Sequence, residues 1–201
     1  MMAMVAPVMA VSAQEARPDP ELLIFVGKLA EVRELDYDCG AKCWNFDSGF
    51  ELKYDVLEVM RGQIGLPRLD FEFFGHYGLP SFTHHEKALV FVYRTEHQHV
   101  MARYLAFPVE MTTNGFWAYC GDPYADTTPA SARNFHAVRF EAPVALSAVT
   151  ASFRNDQSRD EFVGKMKPGR RRCGNAVSAE DLIDFFESQA EPGYNRVYQF
   201  E

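Results

Sequence analysis

Residues 68–74 read Arg68-Leu69-Asp70-Phe71-Glu72-Phe73-Phe74. Leu69, Phe71 and Phe73 fall on one side of an extended chain, and Arg68, Asp70 and Glu72 on the other, because successive strand side chains point to opposite faces. This is the cleanest alternation in the sequence. It predicts a strand with one face in a core and one face toward water. Pro67 opens it, and the segment GHYGLPSFTHHE that follows, with Gly75, Gly78 and Pro80, reads as turn.

Upstream, residues 50–60 alternate as well. Leu52, Tyr54, Val56 and Glu58 point one way, Leu57 and Val59 the other, and Arg61-Gly62 ends the run. Residues 21–34, ELLIFVGKLAEVRE, begin the ordered part, and Gly27 inside the apolar run predicts a bulge or tight bend. Residues 35–48 read as loop. Downstream, Ala88-Leu89-Val90-Phe91-Val92-Tyr93 is continuously apolar, as expected of a central strand covered on both faces. Glu96-His97-Gln98-His99 reads as a hairpin tip, residues 100–109 as a fifth strand and residues 116–120 as a short sixth. Asn114-Gly115 turns the chain between the last two.

After Gly121 the texture changes, and residues 122–201 form a C-terminal extension. Ser178-Ala179-Glu180-Asp181 has the spacing of a capping box, with Asp181 in place of the usual Glu or Gln. A helix over about 179–190 follows, with Leu182, Ile183, Phe185 and Phe186 opposite Glu180, Asp184 and Glu187. Pro192-Gly193 stops it. The expected fold class is mainly β: a five- to six-stranded Greek-key barrel with a helix-containing C-terminal extension.

The chain has 201 residues, enough to bury a core without metal or disulfide. Hydrophobic residues make up 47% and charged residues 24%, a globular balance. Twenty-eight acidic residues against 20 basic ones give a formal charge of −8, which argues against a nucleic-acid partner. No apolar run reaches the 18 or so residues of a membrane-spanning helix.

Residues 1–13, MMAMVAPVMAVSA, are uncharged and almost wholly apolar, and Val11-Ser12-Ala13 resembles a small-residue cleavage site. They read as a signal peptide that lacks the usual basic start, and residues 14–20 read as a linker. The expected location is secreted or periplasmic. Cys39, Cys43, Cys120 and Cys173 are an even count, which in an exported chain points to disulfides. Three pairings are open; the first choice is Cys39 with Cys43 and Cys120 with Cys173. Closing the longer loop constrains the unfolded chain by about 4 kcal/mol in the entropy account.

Phe25-Val26-Gly27-Lys28 followed by Val32 resembles the first strand of the TIMP-like and netrin-like variant of the OB-fold. Tyr54-Asp55-Val56-Leu57-Glu58-Val59-Met60-Arg61-Gly62 resembles that family's second strand, which ends in a basic residue and a glycine. Leu89-Val90-Phe91-Val92-Tyr93 and the position of Cys120 fit later pieces, so the resemblance covers about residues 21–121. It implies an extracytoplasmic OB-like barrel of a class that usually binds proteins. The family's inhibitors ligate a protease zinc through an N-terminal Cys-x-Cys. Here Cys39 and Cys43 are internal and four apart, so that activity does not carry over.

No catalytic residue is assigned. Ser81 has His84 and His85 close in sequence, but no G-x-S-x-G exists. His84, His85, His97 and His99, with Glu86 or Glu96, are weak candidate metal ligands, without HExxH or paired CxxC support. No cofactor is expected. The basic run 165–172 reads as a solvated loop tethered by Cys173. Trp44, Tyr77, Phe82 and Trp117 flank loops and are the candidate binding residues. The leading expectation is a non-enzymatic, extracytoplasmic protein-binding module using loops 36–48 and 76–86. The alternatives are a metal-binding protein or metal-dependent hydrolase using the histidines, and a structural subunit of a cell-envelope assembly.

Overall fold

The alternation at 68–74 folds as β3 (Arg68–Gly75), with Leu69, Phe71 and Phe73 buried and Arg68 and Asp70 exposed. The computed structural model describes residues 20–36, 48–76, 78–124, 128–142, 150–152, 156, 159–160 and 174–189. Five strands make a closed barrel: β3 pairs β2 (Ser48–Arg61), β2 pairs β1 (Glu21–Leu35), β1 pairs β4 (Lys87–Arg94), and β4 pairs β5 (His99–Met111). Those pairs are antiparallel. The barrel closes where β3 meets β5 in parallel at Glu72 and Val100. The result is mainly β, an OB-like barrel with strands and a helix added outside it.

The interior is filled from every strand: Leu23, Phe25, Leu52, Tyr54, Phe71 and Val90 are among its fully or nearly fully buried side chains. Tyr54 stacks on Phe71 at 5.6 Å and meets Phe25 edge-on at 6.3 Å. β1 shifts register between Val26 and Gly27, as the glycine in that strand predicts. A Cβ at Gly27 would lie 2.8 Å from Phe25 Cε2 and 3.0 Å from Tyr54 Cδ1, so the ring pair requires glycine there.

Residues 75–86, read as turn, contain a short 3₁₀ segment, Ser81–His84. It plugs the barrel. Phe82 is only 4% exposed and packs edge-on against Phe73 at 6.5 Å. This corrects the expectation of Phe82 as a loop-flanking binding residue. A loop aromatic above an open barrel end is drawn inward, because the end otherwise leaves apolar rings in water.

The outer faces of β1 and β4 are buried too. Ile24, Val26, Leu89 and Phe91 pack against α1 (Ala179–Gln189) through Leu182 and Ile183. That double burial explains the unbroken apolar run at 88–93. Beyond β5 the sheet continues through β6 (Trp117–Tyr119) and β9 (Asn175–Ser178) to β7 (His136–Ala137), while β8 (Thr150–Ser152) adds to β1. The expected signal segment, linker residues 14–19 and basic run lie outside the described residues, as do Cys39, Cys43, Trp44, Tyr77 and Cys173.

Candidate functional site

β2 outruns β3. Their pairing ends at Asp55 with Arg68, and the Val56 N–H donates to the Pro67 carbonyl at 2.8 Å. Within residues 57–61, Glu58, Val59 and Arg61 pair with β1 on one side, and among the described residues the other edge is open. Two register shifts in this part of β2 turn the side chains as well. Leu57 is 46% and Val59 39% exposed, and Leu66 on the following loop is 64% exposed. Glu58 between them is drawn away: Trp117 Nε1 donates to Glu58 Oε2 at 2.8 Å. Gly62 ends the strand at φ 77°, a conformation that favours glycine. Arg94 bonds the Gln63 carbonyl and pairs with Glu21 at 3.2 Å, which holds the loop.

A second feature lies where β9 enters α1. The Asp181 N–H donates to Ser178 Oγ at 3.0 Å, which caps the helix. The Asp181 carboxylate accepts from Ser178 Oγ and Asn134 Nδ2, and His136 Nε2 sits 2.7 Å from Asp181 Oδ2. Burial pushes this carboxyl up, but the bonds from Ser178, His136 and Asn134 outweigh it and hold it below its ordinary value. Serine and histidine both engage the carboxylate here. A nucleophilic triad needs serine on histidine, so this is a junction tying β7, β9 and α1 together.

Beside that junction runs a groove of about 470 Å³. One wall is the α1 stripe Asp181, Asp184, Phe185 and Ser188, spaced i, i+3, i+4, i+7. The other is Tyr124 with residues 128–134. Tyr124 meets Phe185 edge-on at 4.9 Å, and its hydroxyl accepts from the Asn134 N–H at 2.9 Å. On the barrel side of α1, Arg61 lies 3.1 Å from Glu180 and 3.6 Å from both Asp184 and Glu187.

The candidate residues from the sequence are scattered. Trp117 is half-buried and acts on the β2 edge through Glu58. His84 is 8% exposed within the barrel plug, and His97 is exposed on the turn after β4. His84 and His85 precede β4 and His97 and His99 follow it. An eight-residue strand separates the two pairs by about 26 Å, so one metal ion cannot take both. Among the described residues no group of three or more His, Cys, Asp or Glu is placed to hold a metal. Cys120 is disulfide-bonded, and its partner lies outside the described residues.

The open β2 edge was missed from sequence. Its exposed Leu57 and Val59 alternate as any strand does, and the length of β3 together with the register shifts against β1 leaves them uncovered. The acidic residues of α1 were visible as Glu180, Asp184 and Glu187, but the wall that Tyr124 sets against Asp184 and Phe185 was not. Comparison with protein-family models, with curated proteins and with solved structures finds no match to this chain.

Proposed function

We propose that this chain is a non-enzymatic, extracytoplasmic protein-binding module of TIMP-like and netrin-like type. One observation carries the reading: a strand edge at residues 57–61 that is unpaired among the described residues and flanked by exposed Leu57, Val59 and Leu66. Exposed edges are normally blunted by charge, proline or a covering element, because they recruit other strands. Here the edge carries apolar side chains and its one carboxylate is held aside by Trp117. Such an edge accepts an extended segment through main-chain hydrogen bonds, with alternate side chains giving specificity. The apolar, uncharged residues 1–13 and the four cysteines support export. The proposed disulfides are Cys39 with Cys43 and Cys120 with Cys173.

The test is a photo-crosslinker at position 57 in the chain expressed in its own host. It is expected to capture one protein in stoichiometric amount. Leu57→Lys and Val59→Lys are expected to abolish co-purification of that protein while leaving the melting temperature unchanged. A partner retained by both variants, or no crosslinked protein at all, rejects this reading.

A further inference from the structure

The barrel alone holds the end of β2 weakly. Two register shifts leave Leu57 and Met60 without a partner on β1, so among the described residues the stretch 57–61 pairs only at Glu58, Val59 and Arg61, and on one side. A bulge interrupts the hydrogen-bond ladder, and a strand end with few bonds is the kind of segment that opens locally. The C-terminal extension supplies further ties. Trp117 Nε1, on β6, donates to Glu58 Oε2 at 2.8 Å. Met60 packs against the cluster that contains Leu182 and Ile183 of α1. Arg61 reaches Glu180 at 3.1 Å and both Asp184 and Glu187 at 3.6 Å, and its Nη1 donates to the Met60 carbonyl at 3.0 Å. The extension thus takes the side chains at 58, 60 and 61, and those of Leu57 and Val59 are left exposed.

We propose that Trp117 and Arg61 are positioning residues for the β2 edge: they hold residues 58–61 extended before a partner arrives, so that an incoming strand docks on a formed edge. The inference rests on the protein-binding reading of that edge and assigns the extension its part in it. An edge ordered only on docking loses affinity to its own ordering entropy, and a preformed edge does not. Trp117 suits the role because it is itself fixed, paired with Met111 of β5 and packed in the same cluster as Met60. Arg61 suits it because a guanidinium presents several donors in a rigid fork, and here one fork joins a carbonyl of the strand to three carboxylates of α1. Exposed pairs of this kind add little to global stability, so their effect falls on the strand end that little else holds.

Hydrogen–deuterium exchange of the full chain tests the clamp, read at residues 57–61 and, for comparison, at the core strand 88–93. Trp117→Phe keeps a ring and removes the donor, and Arg61→Ala removes the fork. Each is expected to speed exchange at 57–61 about threefold and to leave 88–93 unchanged. Glu58→Gln keeps an acceptor oxygen for the indole and is expected to change exchange by less than about twofold. With a photo-crosslinker at position 57 in the native host, capture of the partner is expected to fall in Trp117→Phe and Arg61→Ala and to persist in Glu58→Gln. Unchanged exchange at 57–61 in the first two variants overturns the proposal. So does equal acceleration at 88–93, an effect of Glu58→Gln as large as that of Trp117→Phe, or full capture by a variant whose edge exchanges faster. A parent chain that captures nothing at position 57 defeats the docking reading, while the exchange rates still decide whether Trp117 and Arg61 hold the edge.

Discussion

At Tyr54 the barrel interior holds a phenol whose hydroxyl has no hydrogen-bond partner among the described residues. The ring is fully buried between Phe71 and Phe25, and burial pushes its ionisation far up. An unpaired buried hydroxyl costs about 1–3 kcal/mol of desolvation, while the ring's packing does not depend on the oxygen. Tyr54→Phe is therefore expected to be neutral or to stabilise the fold by up to about 1 kcal/mol. Urea unfolding reads this directly; a loss of more than about 1 kcal/mol would show that the hydroxyl is bonded in solution. Phe82 makes the opposite point. It sits in a loop by sequence and in the core by position, so a loop aromatic is not by itself a contact residue.

At the scale of elements, α1 is held by two kinds of force. Leu182 and Ile183 are fully buried against the outer face of β1 and β4. Arg61 gathers Glu180, Asp184 and Glu187, but all of these groups are at least a third exposed. Solvent-exposed pairs are worth about 0–1 kcal/mol, whereas truncating a buried leucine costs about 2–5. Packing should win. Leu182→Ala is expected to lower stability by about 2–5 kcal/mol and Arg61→Ala by about 1 or less. Comparable losses in denaturant unfolding would mean that charge, not packing, docks the helix.

For the whole molecule, one buried and one half-buried carboxyl group pull the pH dependence in opposite directions. Burial pushes Glu110 up, against the pull of Lys87 Nζ at 2.8 Å. A raised acid favours the folded state in its protonated form. Its contribution is complete below the ordinary value of 4.5 and is lost as pH rises through the folded value. Asp181 is held low, so its contribution is present above its ordinary value of 3.8 and is lost as pH falls through the folded value. Melting temperature followed from pH 2 to 8 should then show two separable limbs. Asp181→Asn is expected to flatten the acid limb and Glu110→Gln the decline above about pH 4.5. An acid limb unchanged by Asp181→Asn would remove the β7–β9–α1 junction from the account of acid stability.

The strand faces were legible residue by residue because side-chain alternation is a local property with a period of two. Leu69, Phe71 and Phe73 had to share a face wherever β3 lay. The unbroken run at 88–93 already required cover on both sides, and the Ser178 cap already marked where α1 begins. The candidate sites were less legible. Nothing in residues 57–61 says that β3 stops short of them, since edge exposure depends on how far a neighbouring strand extends. Nothing near Tyr124 says that it faces Phe185, 61 positions away. Periodicity states which residues share a face. What lies across from that face is set by long-range pairing and packing, and those decided the plugged barrel end, the separation of the histidine pairs, the open β2 edge and the acidic groove.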